Sequence, residues 1–237
     1  MDSEINRRIG RAASTFARLS KRVWENTKLT VKTKMAVYRA CVVSALLYGS
    51  KSWTLYSRQE RRLNTFHMRN LRRILEIKWS DRVTNNEVLE RAIMPSMYTL
   101  LRQQRLRWLG LVRRMEDSRI PKDLLYGELA SGKRTQGRPQ LRFRDVCKRD
   151  MKALNMDING WEDLAQDRAH WRQELKTSLA KGEEKLQLAS EAKRLKTKEK
   201  NSKVSTSDTV HKCSRCGRDC HSRIGLHSHS RRCSSAK

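Results

Sequence analysis

Cys213-Ser214-Arg215-Cys216-Gly217-Arg218-Asp219-Cys220-His221-Ser222-Arg223-Ile224-Gly225-Leu226-His227-Ser228-His229-Ser230-Arg231-Arg232-Cys233 reads as C-x2-C-x12-H-x3-C. This is the ligand spacing of a ββα zinc finger with the last His replaced by Cys. Tetrahedral zinc takes four N/S ligands, and here a knuckle supplies Cys213 and Cys216. His229 and Cys233 stand at i and i+4, so both leave the same face of one helix. Zn2+ is therefore the expected cofactor. Leu226 and Cys220 fall at the packing positions of such a finger, and His211 stands where an aromatic usually packs. His227 points away from the metal, and His221 reads as a surface residue.

Outward from the finger, the chain is strongly basic. Its 237 residues carry 53 Lys+Arg against 25 Asp+Glu, a formal charge of +28. A compact chain of that charge repels itself, which makes a polyanion the expected partner. Nucleic acid, RNA or DNA, is favoured over a membrane, because no apolar run approaches the ~18 residues of a spanning helix. Met1-Asp2-Ser3-Glu4 opens directly into a charged helical pattern with no signal peptide, so a non-secreted, nuclear or cytoplasmic protein is expected, with the nucleus favoured. Four of the six cysteines lie in the finger, which suits a reducing compartment and a metal site. No phosphate-binding glycine loop, His-Glu-x-x-His run or nucleophile elbow occurs, and no small-molecule substrate is indicated.

Upstream of the finger the hydrophobic periodicity is helical. Ile5, Ile9, Ala12, Phe16, Leu19 and Val23 form one stripe at steps of four and three. Thr30 caps a second helix through about Leu47, with Val31, Met35, Tyr38, Val42 and Ala45 on one face, and Tyr48-Gly49 stops it. Ser57-Arg58-Gln59-Glu60 reads as a capping box for a third helix with Leu63, Phe66, Asn70, Leu71 and Ile74 on its inner side. Thr84-Asn85-Asn86-Glu87 is a second box. Pro95-Ser96 starts a helix to about Met115 that turns Met97, Leu101, Trp108 and Val112 inward. A basic loop, Gly132 to Pro139, precedes a helix carrying Phe143, Val146, Cys147, Met151 and Leu154. The next buries Trp161, Leu164, Trp171 and Leu175. Trp53, Trp79, Trp108, Trp161 and Trp171 could stack on bases, but most fall on apolar stripes and they are read as core.

Several blocks are distinctive: Ala45-Leu46-Leu47-Tyr48-Gly49-Ser50, Trp53-Thr54-Leu55, Arg61-Arg62-Leu63 and Leu71-Arg72-Arg73-Ile74-Leu75. Further along come Arg105-Leu106-Arg107-Trp108-Leu109-Gly110, Gly137-Arg138-Pro139 and Trp161-Glu162-Asp163-Leu164-Ala165-Gln166-Asp167-Arg168. In this order they resemble the part of a non-LTR (LINE-type) retrotransposon reverse transcriptase that follows the palm, ending in its Cys/His motif. The resemblance covers nearly the whole chain. It implies a mainly α fold in which 1–56 are thumb-like helices and 57–126 a basic helical region. Residues 127–182 would be a basic loop and helical extension, 183–210 a frayed helix and linker, and 211–237 the ββα zinc finger.

Two-metal polymerase chemistry needs clustered carboxylates, of which the family supplies two as an adjacent Asp-Asp. No adjacent Asp pair occurs here, so a non-catalytic chain is expected, beginning after the palm. Leu111, Lys51, Glu76 and Met94 depart from the family pattern; the last two stand where Gly is usual, which predicts the loss of left-handed turns.

The expected nucleic-acid contacts are phosphate contacts through Arg58, Arg61, Arg62, Arg69, Arg72, Arg73, Arg102, Arg105, Arg107, Arg113, Arg114, Lys133, Arg134, Arg138, Arg215, Arg218 and Arg223. Three other readings stay open: a sequence-specific zinc-finger regulator, a reverse transcriptase subunit needing a palm in trans, and an unselected retroelement remnant. Against the regulator, the base-reading positions of the finger helix are Ser222, Gly225 and Ser228, none able to make a bidentate contact. The oligomeric state is not legible.

Overall fold

A computed structural model describes residues 1–127, 141–204, 211–220 and 222–233. The chain divides into two compact units, residues 1–185 and 186–237. The first is helical: α1 (Asp2–Arg18), α2 (Val31–Val37), α3 (Ser44–Leu46), α4 (Ser57–Ile74), α5 (Asn85–Ala92), α6 (Met97–Arg113), α7 (Ile120–Tyr126), α8 (Phe143–Ala153) and α9 (Trp161–Gln166). The long α10 (Arg168–Val204) follows. β1 (His211–Lys212), β2 (Asp219–Cys220) and α11 (Arg223–Ser230) belong to the second unit.

The α1 stripe is buried as its period dictates, with Ile5, Ala12 and Phe16 in the core. What the period does not show is a widened π turn over Ser20–Trp24, closed by Glu25 N–H donating to Ser20 O at 2.9 Å. It swings Trp24 back, so that its indole stacks on Phe16 with centroids 5.0 Å apart and donates to Phe16 O at 2.8 Å. Tyr38 meets both rings edge-on from a second π segment, Tyr38–Val43, that joins α2 to α3. Thr30 caps α2, accepting from Thr33 N–H at 3.3 Å. Gly49, at φ 79°, ends the run as expected.

The box opening α4 is displaced by one residue from the sequence expectation. Tyr56 is the N-cap, and its N–H donates to Gln59 Oε1 at 3.0 Å. The box at α5 forms as read: Thr84 N–H donates to Glu87 Oε2 at 2.6 Å, and Glu87 N–H donates to Thr84 Oγ1 at 3.3 Å. The two left-handed turns are kept. Glu76 adopts φ 55° without being glycine, and beside Met94 it is Ile93 that turns, at φ 50°. Backbone bonds from Ile77 N–H to Arg72 O (2.9 Å) and Met94 N–H to Leu89 O (3.1 Å) close these helix ends and hold the unfavourable φ.

One core runs from Ile5 to Leu101 and a second from Leu106 to Leu179. The first crosses residue 56, so residues 1–56 and the start of 57–126 share one interior. In the second, α6 and α10 approach closely at Gly110, where a Cβ would strike the Trp171 indole. That indole donates from Nε1 to Leu106 O at 3.2 Å. Glu183 of α10 accepts from Ser96 N–H at 3.1 Å and from Ser96 Oγ at 2.8 Å, a carboxylate on the N-terminus of α6. Instead of fraying from 183, α10 continues to Val204, as its Lys, Glu, Ala and Leu content favours.

In the second unit β1 and β2 pair antiparallel, with His211 opposite Cys220 and Lys212 opposite Asp219. Gly217, at φ 71°, makes the knuckle turn, and Ser222 caps α11 by accepting from Gly225 N–H at 3.0 Å. The mainly α chain with one small ββα module is the fold expected from the sequence.

Candidate metal centre and basic surfaces

The knuckle and α11 bring Cys213, Cys216, His229 and Cys233 together, one ligand atom from each lying within 4.8 Å of the others. Cys216 Sγ and His229 Nε2 are 3.1 Å apart. Zn–S bonds of ~2.3 Å would set ligand atoms about 3.8 Å apart on a tetrahedron, so small side-chain rotations close this set on an ion. Backbone N–H groups of Arg215 and Cys216 pull the Cys213 thiol down to about 6, toward the thiolate a metal needs. Its hydrogen bond to Cys216 pushes the Cys233 thiol up to about 11. Cys220 and His227 stand outside the group, and all six cysteines are free thiols. The residues therefore fit a metal ion.

The arginines expected to face phosphate divide by environment. Arg61, Arg62, Arg69 and Arg107 are exposed, as are Arg215, Arg218 and Arg223 of the second unit. Arg58 pairs with Asp2 at 2.8 Å, and Arg73 lies 3.7 Å from Glu25 with its guanidinium over Phe16. Arg72 donates to Val83 O at 3.0 Å and to Asn85 Oδ1 at 2.8 Å, fastening the loop after α4. Arg113 lies 3.7 Å from Glu162. Lys133, Arg134 and Arg138, with Gly137 and Pro139, lie outside the described residues.

Arg105 is a correction. Its residue is 0% exposed, its Nε donates to Asp150 Oδ2 at 2.6 Å, and its Nη2 reaches Glu60 Oε1 at 3.2 Å. Burial opposes the charge, but Asp150 and Glu60 outweigh it and hold the guanidinium above its ordinary value. Arg102 sits 3.7 Å from the same Asp150, largely covered. These two tie α6 to α8 and α4 and are withdrawn from any strand outside. The physical reason is register: four residues before Leu109 and one before Leu106, Arg105 lies on the inner side of α6.

The sequence reading missed a groove between α6 and α10. Arg107, Arg114, Arg168 and Arg172 line about 480 Å³ of it together with Leu111 and the Trp171 ring. Gln103, Arg107, Arg172 and Lys176 line an adjoining 400 Å³. No carboxylate lines either part. Among the described residues, Arg107, Arg168, Arg172 and Lys176 make no ion pair. Partial burial and the neighbouring Arg168 hold the Arg114 guanidinium below its ordinary value, against the opposing pull of Asp167. The signal in sequence was Arg168, Arg172 and Lys176 at steps of four, one edge of a helix.

Trp79 is the second correction. Read as core, it is 96% exposed, while Trp24, Trp53, Trp161 and Trp171 are buried. His67 also went unread: it is enclosed between Tyr38 OH (3.1 Å from Nδ1) and Pro95 O (3.3 Å from Nε2). Burial pushes its pKa down to about 4. No helix is long and apolar enough to cross a membrane, among the described residues.

A transposon-derived protein of Caenorhabditis elegans, itself uncharacterized, is 25% identical over 147 residues, which are 59% of this chain and 53% of that protein. The chain thus spans about half the length of this relative. No family model and no solved structure matches. The likeness supports a transposon-related origin.

Proposed function

We propose that this chain is a non-catalytic nucleic-acid-binding protein that grips RNA or DNA mainly through phosphates. It would carry one zinc ion and derive from the post-palm part of a LINE-type reverse transcriptase. The observation that carries the reading is the α6–α10 groove, where Arg107, Arg114, Arg168 and Arg172 converge with no carboxylate in the lining. Guanidiniums held so, in a chain of net +28, gain most from a polyanion that displaces its own counterions. The transposon-derived relative and the sequence resemblance support the origin. Three cysteines and a histidine with ligand atoms within 4.8 Å of one another supply the donor set zinc prefers. The finger would then be a second, tethered contact that raises the local concentration of the first. Its helix does not favour base reading, since the Ser222 hydroxyl oxygen is taken up accepting from the Gly225 N–H.

Filter binding of the whole chain to RNA, single-stranded DNA and duplex at two salt concentrations, with and without chelator, tests this. Salt-sensitive binding with little dependence on sequence is expected. Failure to retain any of the three, or a strong preference for one short duplex sequence, would refute the reading.

A further inference from the structure

Trp79 begins a single 3-10 turn, Trp79–Asp81, in the loop between α4 and α5. An indole 96% open to solvent is unusual in a chain whose other tryptophans fill its cores. The turn beneath it is braced. Asp81 Oδ2 accepts from Lys78 N–H at 2.8 Å, and Arg82 N–H donates to Trp79 O at 3.3 Å. Arg82 closes the turn in the left-handed conformation, at φ 51°. From α4, Arg72 fastens the far side of the loop through Val83 O and Asn85 Oδ1. The ring borders a concavity of about 460 Å³ with Arg72, Ile77, Lys78, Arg82 and Val83. Lys78 and Arg82 are exposed and, among the described residues, unpaired with any carboxylate. The turn's own carboxylate, Asp81, is engaged with the Lys78 backbone and Ser80 Oγ.

A flat apolar face on a fixed turn, with a cation on either side along the chain, has the chemistry of one nucleotide: a base to stack and phosphates before and after it. A duplex hides its base faces, whereas an unpaired strand offers them. We infer that Trp79 is a stacking platform for one base of a single-stranded nucleic acid, with Lys78 and Arg82 holding the flanking phosphates. This rests on the nucleic-acid reading above and narrows its ligand to unpaired strand at this site.

The test uses the whole zinc-loaded chain, a labelled single-stranded oligonucleotide and a duplex of equal length. Stacking contributes about 1–3 kcal/mol per base, so Trp79→Ala should weaken single-strand binding roughly 5- to 150-fold. Trp79→Phe should stay within about threefold of the native chain, and duplex binding should not change in either. Because the ring is outside the core, the thermal melt of Trp79→Ala should match the parent's. Equal losses on strand and duplex, or no loss on either, would overturn the platform. A dimer present in the native chain and lost in Trp79→Ala would assign the indole to a self-interface and overturn it too. If the native chain binds neither probe, the broader reading fails; if it binds the strand and Trp79→Ala binds equally well, only the platform does.

Discussion

Arg105 donates to Asp150 at 2.6 Å with both side chains no more than 3% exposed, so α6 and α8 are joined by a charge pair sealed from water. Glu60 on α4 completes the triad. Removing Asp150 leaves the buried Arg105 with only the longer contact to Glu60, at 3.2 Å, and its Nε without a partner. Asp150→Ala should therefore cost about 3–5 kcal/mol, read as a lowered urea midpoint by tryptophan fluorescence. A change under about 1 kcal/mol would show that water or another acid reaches Arg105.

Metal analysis should give one zinc per chain. His229→Ala and Cys233→Ser should lose it and Cys220→Ser keep it, since only the first two residues belong to the 4.8 Å cluster. Chelation should free three thiols, Cys213, Cys216 and Cys233, to a disulfide reagent while leaving the tryptophan-reported melt in place, because every tryptophan lies within residues 1–185. Loss of zinc in Cys220→Ser with retention in Cys233→Ser would reverse the assignment.

His67 gives the first unit an acid sensitivity. Folded, its pKa is about 4; unfolded, it is about 6.5. Between those values the unfolded ring takes a proton that the folded ring refuses. Stability present above pH 6.5 is thus lost as pH falls to 4 and changes no further below. The full loss is about 3 kcal/mol. Thermal melts at pH 7.5 and 4.5, read by tryptophan, should differ more in the native chain than in His67→Gln. Equal differences would remove His67 as the cause.

Ile93 holds a β-branched side chain at φ 50° while 81% exposed. Its conformation is strained and its packing slight. Ile93→Gly should stabilise the first unit by about 1 kcal/mol. Destabilisation would mean that the sec-butyl side chain is covered in solution.

Raising salt from 50 to 200 mM should weaken nucleic-acid binding about 10³-fold if roughly six phosphates are neutralised. Replacing Arg107, Arg168 and Arg172 with Gln should flatten the logarithmic salt slope by about 2–3. Replacing Ser222 and Ser228 with Ala should leave it unchanged. An unaltered slope in the triple variant would place the strand elsewhere.

The helices were legible because stripes such as Ile5, Ala12 and Phe16 have one period and one face. The four ligands were legible because knuckle and helix spacing are local properties. What could not be read depends on partners distant in sequence. Arg105 looks like any arginine of a basic block until Asp150, 45 residues on, meets it. Trp79 shares its apolar character with Trp171, and only the loop around it keeps it outside. The π turn that brings Trp24 onto Phe16 leaves no mark in a 3.6-residue pattern. The α6–α10 groove exists only once two helices pair.

At Gly110 a missing carbon sets the separation of α6 from α10, and with it the gauge of the channel between their arginines. A methyl group there would act as a wedge. It would spread the guanidiniums apart and leave the chain's charge untouched, so a search for loss of grip confined to charge-changing substitutions would pass over the position that spaces the charges.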